Sequence, residues 1–302
     1  MQETGNSFRR RISKRIEFLA VYLLVQFFRV IPFFLIYWIS FCAYILAFYI
    51  WGYRKRVVFS NLKNSFPEKS SEEIQKTAKQ FYRNFCDVLA ETARGLSMSE
   101  RSLLKRFRVV NPELLNKLFK QNKSVISIGA HYANSEWGKI LGKQLKHPMI
   151  IIYSPFMNKF LDRYNNRKRM SYGMNLIPLA KTLRTFNELR SEPHCFIMGV
   201  DQRPFDLKSA LWFSFLNQET PFHKGYETIA RKFNIPVVYS DIQRVRRGYY
   251  TIEYIMLCEE PSTVKEGFVV DCFVKTLEKT IRKKPEDWLW SHKRWKYKRN
   301  SA

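Results

Sequence analysis

Between Arg29 and Arg54 the chain has no charged side chain, its longest uncharged interval. The run VIPFFLIYWISFCAYILAFYIWGY is apolar on every helical face, and about 20 such residues cross a bilayer as a helix. It ends in Trp51 and Tyr53, followed at once by Arg54-Lys55-Arg56, the aromatic-then-basic order of a headgroup boundary. A second apolar run, 18–28, precedes it, behind Arg9, Arg10, Arg11, Lys14 and Arg15. A secretory signal fits poorly, because the stretch is too long and no small-residue cleavage site closes it. The pattern therefore predicts a retained membrane anchor over about 32–52, within an N-terminal segment 1–56. Two arrangements satisfy it: a single span, or a helix pair broken near Pro32 that dips into one leaflet. Basic clusters flank both ends of the apolar block, so the distribution of Lys and Arg does not choose between them.

Beyond the anchor the pattern changes to amphipathic. Ser70-Ser71-Glu72-Glu73 opens a capping-box-like start, and Ile74, Ala78, Phe81, Tyr82, Phe85, Val88 and Leu89 recur at helical spacing, predicting a helix over 71–94. From residue 106 short apolar runs alternate with helical ones. Strands are expected at 107–110, 125–128, 149–153, 175–178, 195–200, 236–240 and 249–257, the last two flanking the turn Arg246-Arg247-Gly248. Helices are expected at 112–121, 134–145, 159–172, 181–190, 224–233 and 265–283. Such alternation predicts an α/β fold, a mixed central sheet flanked by helices, as one domain over 57–302.

Composition adds a partner class. Lys and Arg number 52 against 26 acids, a net charge of +26, and aromatics make up 16%. A charge this large suits a polyanionic partner: an anionic membrane surface, phosphorylated lipid, an acidic carrier protein or nucleic acid. No helix-turn-helix, zinc-finger or RNP signature supports nucleic acid. The five cysteines, Cys42, Cys86, Cys195, Cys258 and Cys272, are scattered without a CxxC pair, so neither a disulfide framework nor a metal site is expected.

Three segments following apolar strands carry candidate chemistry, since ligands collect at the C-terminal ends of strands in open α/β sheets. The first is Gly129-Ala130-His131-Tyr132-Ala133-Asn134-Ser135-Glu136. A carboxylate bound to one imidazole nitrogen fixes the tautomer and leaves the other nitrogen as a general base, which makes His131 and Glu136 candidates; the alternative is an ordinary loop histidine with a first-turn acid. In the second segment, Arg163 and Arg167 share one helical face and suit a phosphate, or else form a solvated basic face. The third presents Asp201 and Gln202 past a strand, and then a helix entered at Gly225 whose free N–H groups suit an anion; Asp201 also reads as a turn cap. His147, His194, His223 and His292 have no partner pattern that suggests catalysis. A phosphate-cradling glycine loop and a nucleophile elbow are both absent, so no cofactor and no covalent acyl-enzyme are signalled.

The order of these blocks resembles the bacterial lipid A biosynthesis acyltransferases, within the wider lysophospholipid acyltransferase group, as a divergent branch. The likeness runs nearly end to end. It takes in Tyr53-Arg54-Lys55-Arg56, Asn61-Leu62, Phe66-Pro67-Glu68, His131 and Glu136, the block ending at Arg169 and Gly173, Asp201-Gln202, the block from Phe222 to Gly225, and Pro285-Glu286-Asp287-Trp288-Leu289-Trp290-Ser291-His292-Lys293-Arg294-Trp295-Lys296. The resemblance implies an inner-membrane enzyme, its catalytic domain on the cytoplasmic face. It would move a fatty acyl chain from acyl-carrier protein to a hydroxyl of a lipid A precursor, without a cofactor. It also implies His131 as general base oriented by Glu136, substrate phosphate held among Arg163, Arg167 and Arg169, and a tryptophan-rich end serving packing or membrane contact. Departures in the HYANSEW and DQRPF blocks leave other acceptors open, an aminolipid or a lysophospholipid, and acyl-CoA as a donor. A non-catalytic membrane-tethered binder and a hydrolase using the same histidine are the remaining alternatives.

Overall fold

The computed structural model describes residues 2–299, with side chains from Arg11 onward; the expected basic residues Arg9 and Arg10 lie outside the described side chains. Helix α1 (Gln2–Val30) ends at Ile31-Pro32, where proline supplies no N–H to continue the ladder, and α2 (Phe33–Ile45) starts immediately, widening into a π-type turn over Leu46–Ile50. The apolar block is thus the second arm of a helix pair broken at Pro32, and Phe33–Ile50 is long and apolar enough to cross a membrane. Next come α3 (Lys55–Ser65), α4 (Ser71–Gly95), α5 (Glu100–Arg106), β1 (Phe107–Val109) and α6 (Pro112–Lys120). After β2 (Val125–Gly129), a 3-10 segment (Ser135–Lys143) leads to β3 (Met149–Tyr153), α7 (Lys159–Met170), β4 (Met174–Pro178), α8 (Thr182–Glu188) and β5 (Cys195–Gly199). The chain closes with β6 (Leu211–Phe215), β7 (Gln218–Phe222), α9 (Gly225–Phe233), β8 (Val237–Arg246), β9 (Tyr249–Cys258) and α10 (Phe268–Lys283).

Seven strands form one sheet in the order β1-β9-β8-β2-β5-β3-β4. The strands from β8 to β4 run parallel, while β9 returns antiparallel to β8 through a hairpin and β1 pairs parallel to β9, so the sheet is mixed. Alternation along the central strands feeds two cores. Ile126 and Ile128 of β2, Phe196 of β5 and Ile150 of β3 join Phe273, Leu277 and Trp290 on one face. Val125, Cys195 and Met149 join Trp137, Ile140 and Tyr250 on the other. Both faces of these strands are covered, which is why they read as continuous apolar runs.

The helix over 71–94 forms as expected, with the capping box complete: Ser70 Oγ accepts from the Glu73 N–H and the Glu73 carboxylate accepts from the Ser70 N–H. Three features differ from the sequence reading. Within the expected helix 134–145, Ser135–Lys143 winds as a tight 3-10 segment rather than an α-helix. Gly142 packs directly on the backbone of Gly173, where a Cβ would sit 2.7 Å from Gly173 O, and the closely approaching chains leave no room for side chains on that flank. Residues 211–222, read as loop, pair as the hairpin β6–β7 around Leu216 and Asn217, both at positive φ. Helices α3 and α5 also form where no element was expected.

Helix α2 reverses the usual amphipathic plan. Ile36, Ser40, Tyr44 and Phe48, spaced four apart, are buried toward the protein, whereas Phe34, Trp38 and Trp51 stand 70%, 67% and 75% exposed. The polar groups of α2 point inward, Ser40 Oγ donating to Asp87 and Tyr37 Oη to Glu91 of α4. On α1, Leu19, Leu23, Phe27 and Val30 are likewise exposed, while Val25 and Phe28 are buried. Large apolar side chains are thus exposed along both helices, as expected of an interaction face.

Candidate active site

Strands β2 and β5 are neighbours at the centre of the sheet, and their register pairs Gly129 with Gly199. Two residues on from Gly129 lies His131, and two residues on from Gly199 lies Asp201. Equal offsets from paired strand ends bring the two side chains together. His131 Nδ1–H donates to Asp201 Oδ1 at 2.7 Å. The second oxygen, Asp201 Oδ2, accepts from Trp288 Nε1–H at 2.9 Å. Asp201 is 3% exposed and His131 43%, so the acid is sealed while the far edge of the imidazole opens outward.

Gly199 makes room for the ring. A Cβ there would lie 3.3 Å from His131 Cε1, tight enough that the ring would have to give by a few tenths of an ångström. The loop after His131 is held by the chain's end: Leu289 N–H donates to His131 O, Ala133 N–H donates to Asp287 O, and Tyr132 bridges Trp288. Ala133 takes φ 51°, a left-handed conformation costly for any residue with a Cβ, and it turns the chain sharply between His131 and Asn134.

The electrostatics follow from this geometry. The Asp201 carboxylate beside it, opposed by burial, raises the His131 imidazole above its ordinary value, and Glu136 adds a smaller push in the same direction. Burial drives Asp201 upward, but the charge and N–H of His131 and the Trp288 indole more than offset this and hold it below the usual carboxylate range. With Nδ1 fixed as donor to an ionised acid, the neutral imidazole carries its lone pair on Nε2. That tautomer is the one a general base requires.

Glu136 does not make the hydrogen bond that the sequence reading gave it. Its carboxylate lies across from Arg169 of α7, whose Nη2 donates to Oε1 at 2.8 Å and to Oε2 at 3.0 Å. The physical reason is the winding of the 3-10 segment, which carries Glu136 toward the end of α7 at the Gly142–Gly173 contact. The acid that binds the imidazole is Asp201, expected only at the substrate. Arg169 is thereby separated from Arg163 and Arg167, which are exposed and make no ion pair among the described residues. Gln202 is half-buried directly after Asp201, and Gly225 is exposed at the start of α9, with no described contact tying it to His131.

Comparison with known proteins identifies the family. The family model for bacterial lipid A biosynthesis acyltransferases matches residues 6–297. The chain belongs to that family. It is 25% identical over 251 residues to the Lipid A biosynthesis palmitoleoyltransferase of Escherichia coli (strain K12), covering 80% of this chain and 79% of that protein. The Lipid A biosynthesis acyltransferase of Shigella flexneri matches to the same extent. The Lipid A biosynthesis lauroyltransferase of Escherichia coli (strain K12) is 24% identical over 253 residues, with 80% and 79% covered. Identity this low fits a divergent branch of the lipid A acyltransferases.

For this acyltransferase, sequence reasoning missed Trp288 as a partner of the site. Trp288 and Trp290 are buried, so the tryptophan-rich end packs inside and offers no membrane contact at those two positions. For the pairing of His131 with Asp201 the available signal was the match between Ile128-Gly129-Ala130-His131 and Met198-Gly199-Val200-Asp201, each an apolar run, a glycine, one small or branched residue and a chemical group.

Proposed function

We propose that the protein transfers a fatty acyl chain from an acyl-carrier thioester to a hydroxyl of a lipid A precursor, with His131 as general base. The observation that carries this reading is the 2.7 Å bond from His131 Nδ1 to buried Asp201, with Nε2 on the open edge. Nε2 takes the hydroxyl proton as the oxygen attacks the thioester carbon. The tetrahedral intermediate collapses with cleavage of the C–S bond, and the imidazolium returns the proton to the leaving thiolate. Asp201 holds the ring and stabilises the imidazolium. Glu136, paired with Arg169, places a further negative charge near the ring and a guanidinium beside it, a pair suited to orienting a polar substrate group. Arg163 and Arg167, uncommitted on α7, suit acceptor phosphates, and Gln202 suits a neighbouring polar contact.

The exposed apolar face of α1 and α2 supports residence on the inner membrane, and the high positive charge suits both an anionic leaflet and an acidic carrier protein. The polar inward side of α2 favours the helix pair lying in one leaflet over a free-standing span, because its hydrogen bonds to α4 tie it to the catalytic domain.

The test is purified protein in vesicles with acyl-carrier thioester and a lipid A precursor, followed by mass spectrometry of the lipid. Wild type adds the mass of one acyl group, and His131→Ala adds none while still sedimenting with vesicles. Transfer by His131→Ala at the wild-type rate would remove His131 from the chemistry. Addition to phospholipid but not to the lipid A precursor would change the acceptor.

A further inference from the structure

Beneath the site lies a second acid that the acyl-transfer chemistry does not use. Glu91, on α4, is fully buried, and three donors from three different elements meet at its carboxylate. Tyr37 Oη of α2 donates to Oε1 at 3.0 Å, Tyr250 Oη of β9 donates to Oε2 at 2.5 Å, and Asn134 Nδ2 donates to Oε2 at 3.0 Å. The backbone of the same residue is also engaged, Glu91 O accepting from Trp137 Nε1–H at 2.9 Å. Asn134 and Trp137 bracket the segment that carries Glu136, and Asn134 follows Ala133, the one residue between positions 123 and 215 with an l-side chain at positive φ. A left-handed alanine persists only where its surroundings over-determine it. Here those surroundings are Asp287 O on the alanine's own N–H and Glu91 on the next side chain.

We infer that Glu91 is a positioning residue for the reaction: through Asn134 it holds the strained turn that aims His131 at Asp201 and Glu136 at Arg169. The inference rests on the acyl-transfer reading. Glu91 touches no substrate and acts through the loop. Because Tyr37 belongs to α2, the same carboxylate also fastens the apolar helix to the support of the catalytic loop, so the membrane-facing element and the site share one buried anchor. A carboxylate suits this place better than an amide, since it presents only acceptors to three donors, whereas a glutamine would turn its NH2 against one of them.

The experiment compares Asn134→Ala, Asn134→Asp, Glu91→Gln and the double variant Glu91→Gln/Asn134→Asp in the vesicle assay, together with hydrogen–deuterium exchange over residues 131–137. Each single variant is expected to lower kcat at least tenfold with KM for donor and acceptor within twofold. Exchange over 131–137 should rise while exchange in β2 and β5 stays at the wild-type level. In the double variant the amide donates one hydrogen to the new carboxylate and the other to Tyr250, whose hydroxyl rotates to accept it, so the link to the loop is restored with its direction reversed and kcat should rise above that of either single variant. Asn134→Ala keeps Glu91 and both tyrosine donors, so it remains decisive if Glu91→Gln does not fold. Wild-type kcat and exchange in Asn134→Ala would overturn the inference, as would a double variant no better than the worse single. Absence of transfer by the wild type would instead sink the acyl-transfer reading, leaving the exchange data to decide the role of Glu91.

Discussion

Two clusters of acids and bases sit within one molecule and are built to opposite specifications. In the first, Asp87 accepts from Ser40 at 2.5 Å, from Arg244 Nη2 at 2.6 Å and from Arg247 Nε at 2.8 Å, and neither the acid nor Arg244 meets solvent appreciably. Arg247 Nη2 also donates to Oδ1, so each oxygen of that carboxylate accepts two hydrogen bonds. In the second, Asp201 is just as buried but accepts one side-chain hydrogen bond on each oxygen, and the imidazole it holds keeps one nitrogen unspent and one edge open. The first cluster fastens α2 and the β8–β9 hairpin to α4. The second leaves a reactive valence at the sheet end. The two acids are equally buried; the clusters differ in this remaining valence, which is what the proposed general base requires.

The comparison is broken most severely at His131 and at the two acids. His131→Ala should reduce acyl transfer by about 10²–10⁴-fold, the usual contribution of a general base, with unfolding in denaturant unchanged. Asp87→Ala should do the reverse, costing about 3–5 kcal/mol of stability by leaving Arg244 buried and unpaired; equal stability of that variant in a denaturant titration would mean the first cluster is not a fastener. Asp201→Asn should lower kcat on the order of 10²-fold, because the ring loses its fixed tautomer.

That last variant also has a pH signature. A base must be neutral, and the raised imidazole of the wild type stays protonated to higher pH, so activity should rise along an acid limb centred above about 6.5. Removing the Asp201 charge should move the limb to lower pH even as the plateau falls. In stability the signs follow linkage: the raised His131 contributes fully below about 6.5 and loses its contribution as pH rises through its folded value, while the lowered Asp201 contributes above about 3.9 and loses it as pH falls. A limb that stays in place in Asp201→Asn would show that the bond does not tune the ring.

Smaller perturbations sharpen the contrast. Gly199→Ala should shift the imidazole by a few tenths of an ångström and cost roughly tenfold, short of the 10²-fold that a 1 Å misplacement brings. Arg167→Gln, on the exposed face of α7, should raise KM for a phosphorylated acceptor about two- to fivefold, the scale of a solvent-exposed ion pair, and leave kcat alone.

The strands were legible because β2, β3 and β5 are covered on both faces and so appear as short uninterrupted apolar runs. Helix α4 was legible from its capping box and spacing. The hairpin β6–β7 was not, since Leu-Trp-Phe-Ser-Phe and Gln-Glu-Thr-Pro-Phe carry a proline and no clean alternation, and the turn uses Leu216 rather than a glycine. His131 was found from its place after a strand. Its acid was not, because pairing of β2 with β5 spans 70 residues and depends on sheet order, which the local pattern does not encode. Glu136, nearer in sequence, was the natural partner until the 3-10 winding turned it toward Arg169.

The indole of Trp288, closing on Asp201, makes the His131–Asp201 pair depend on a segment 87 residues further along the chain. The same segment holds the loop after His131, through Leu289 N–H on His131 O and Asp287 O on Ala133 N–H. Acid and loop are therefore released together whenever that segment lifts away, so the pair shares one local unfolding event with the tryptophan-rich end.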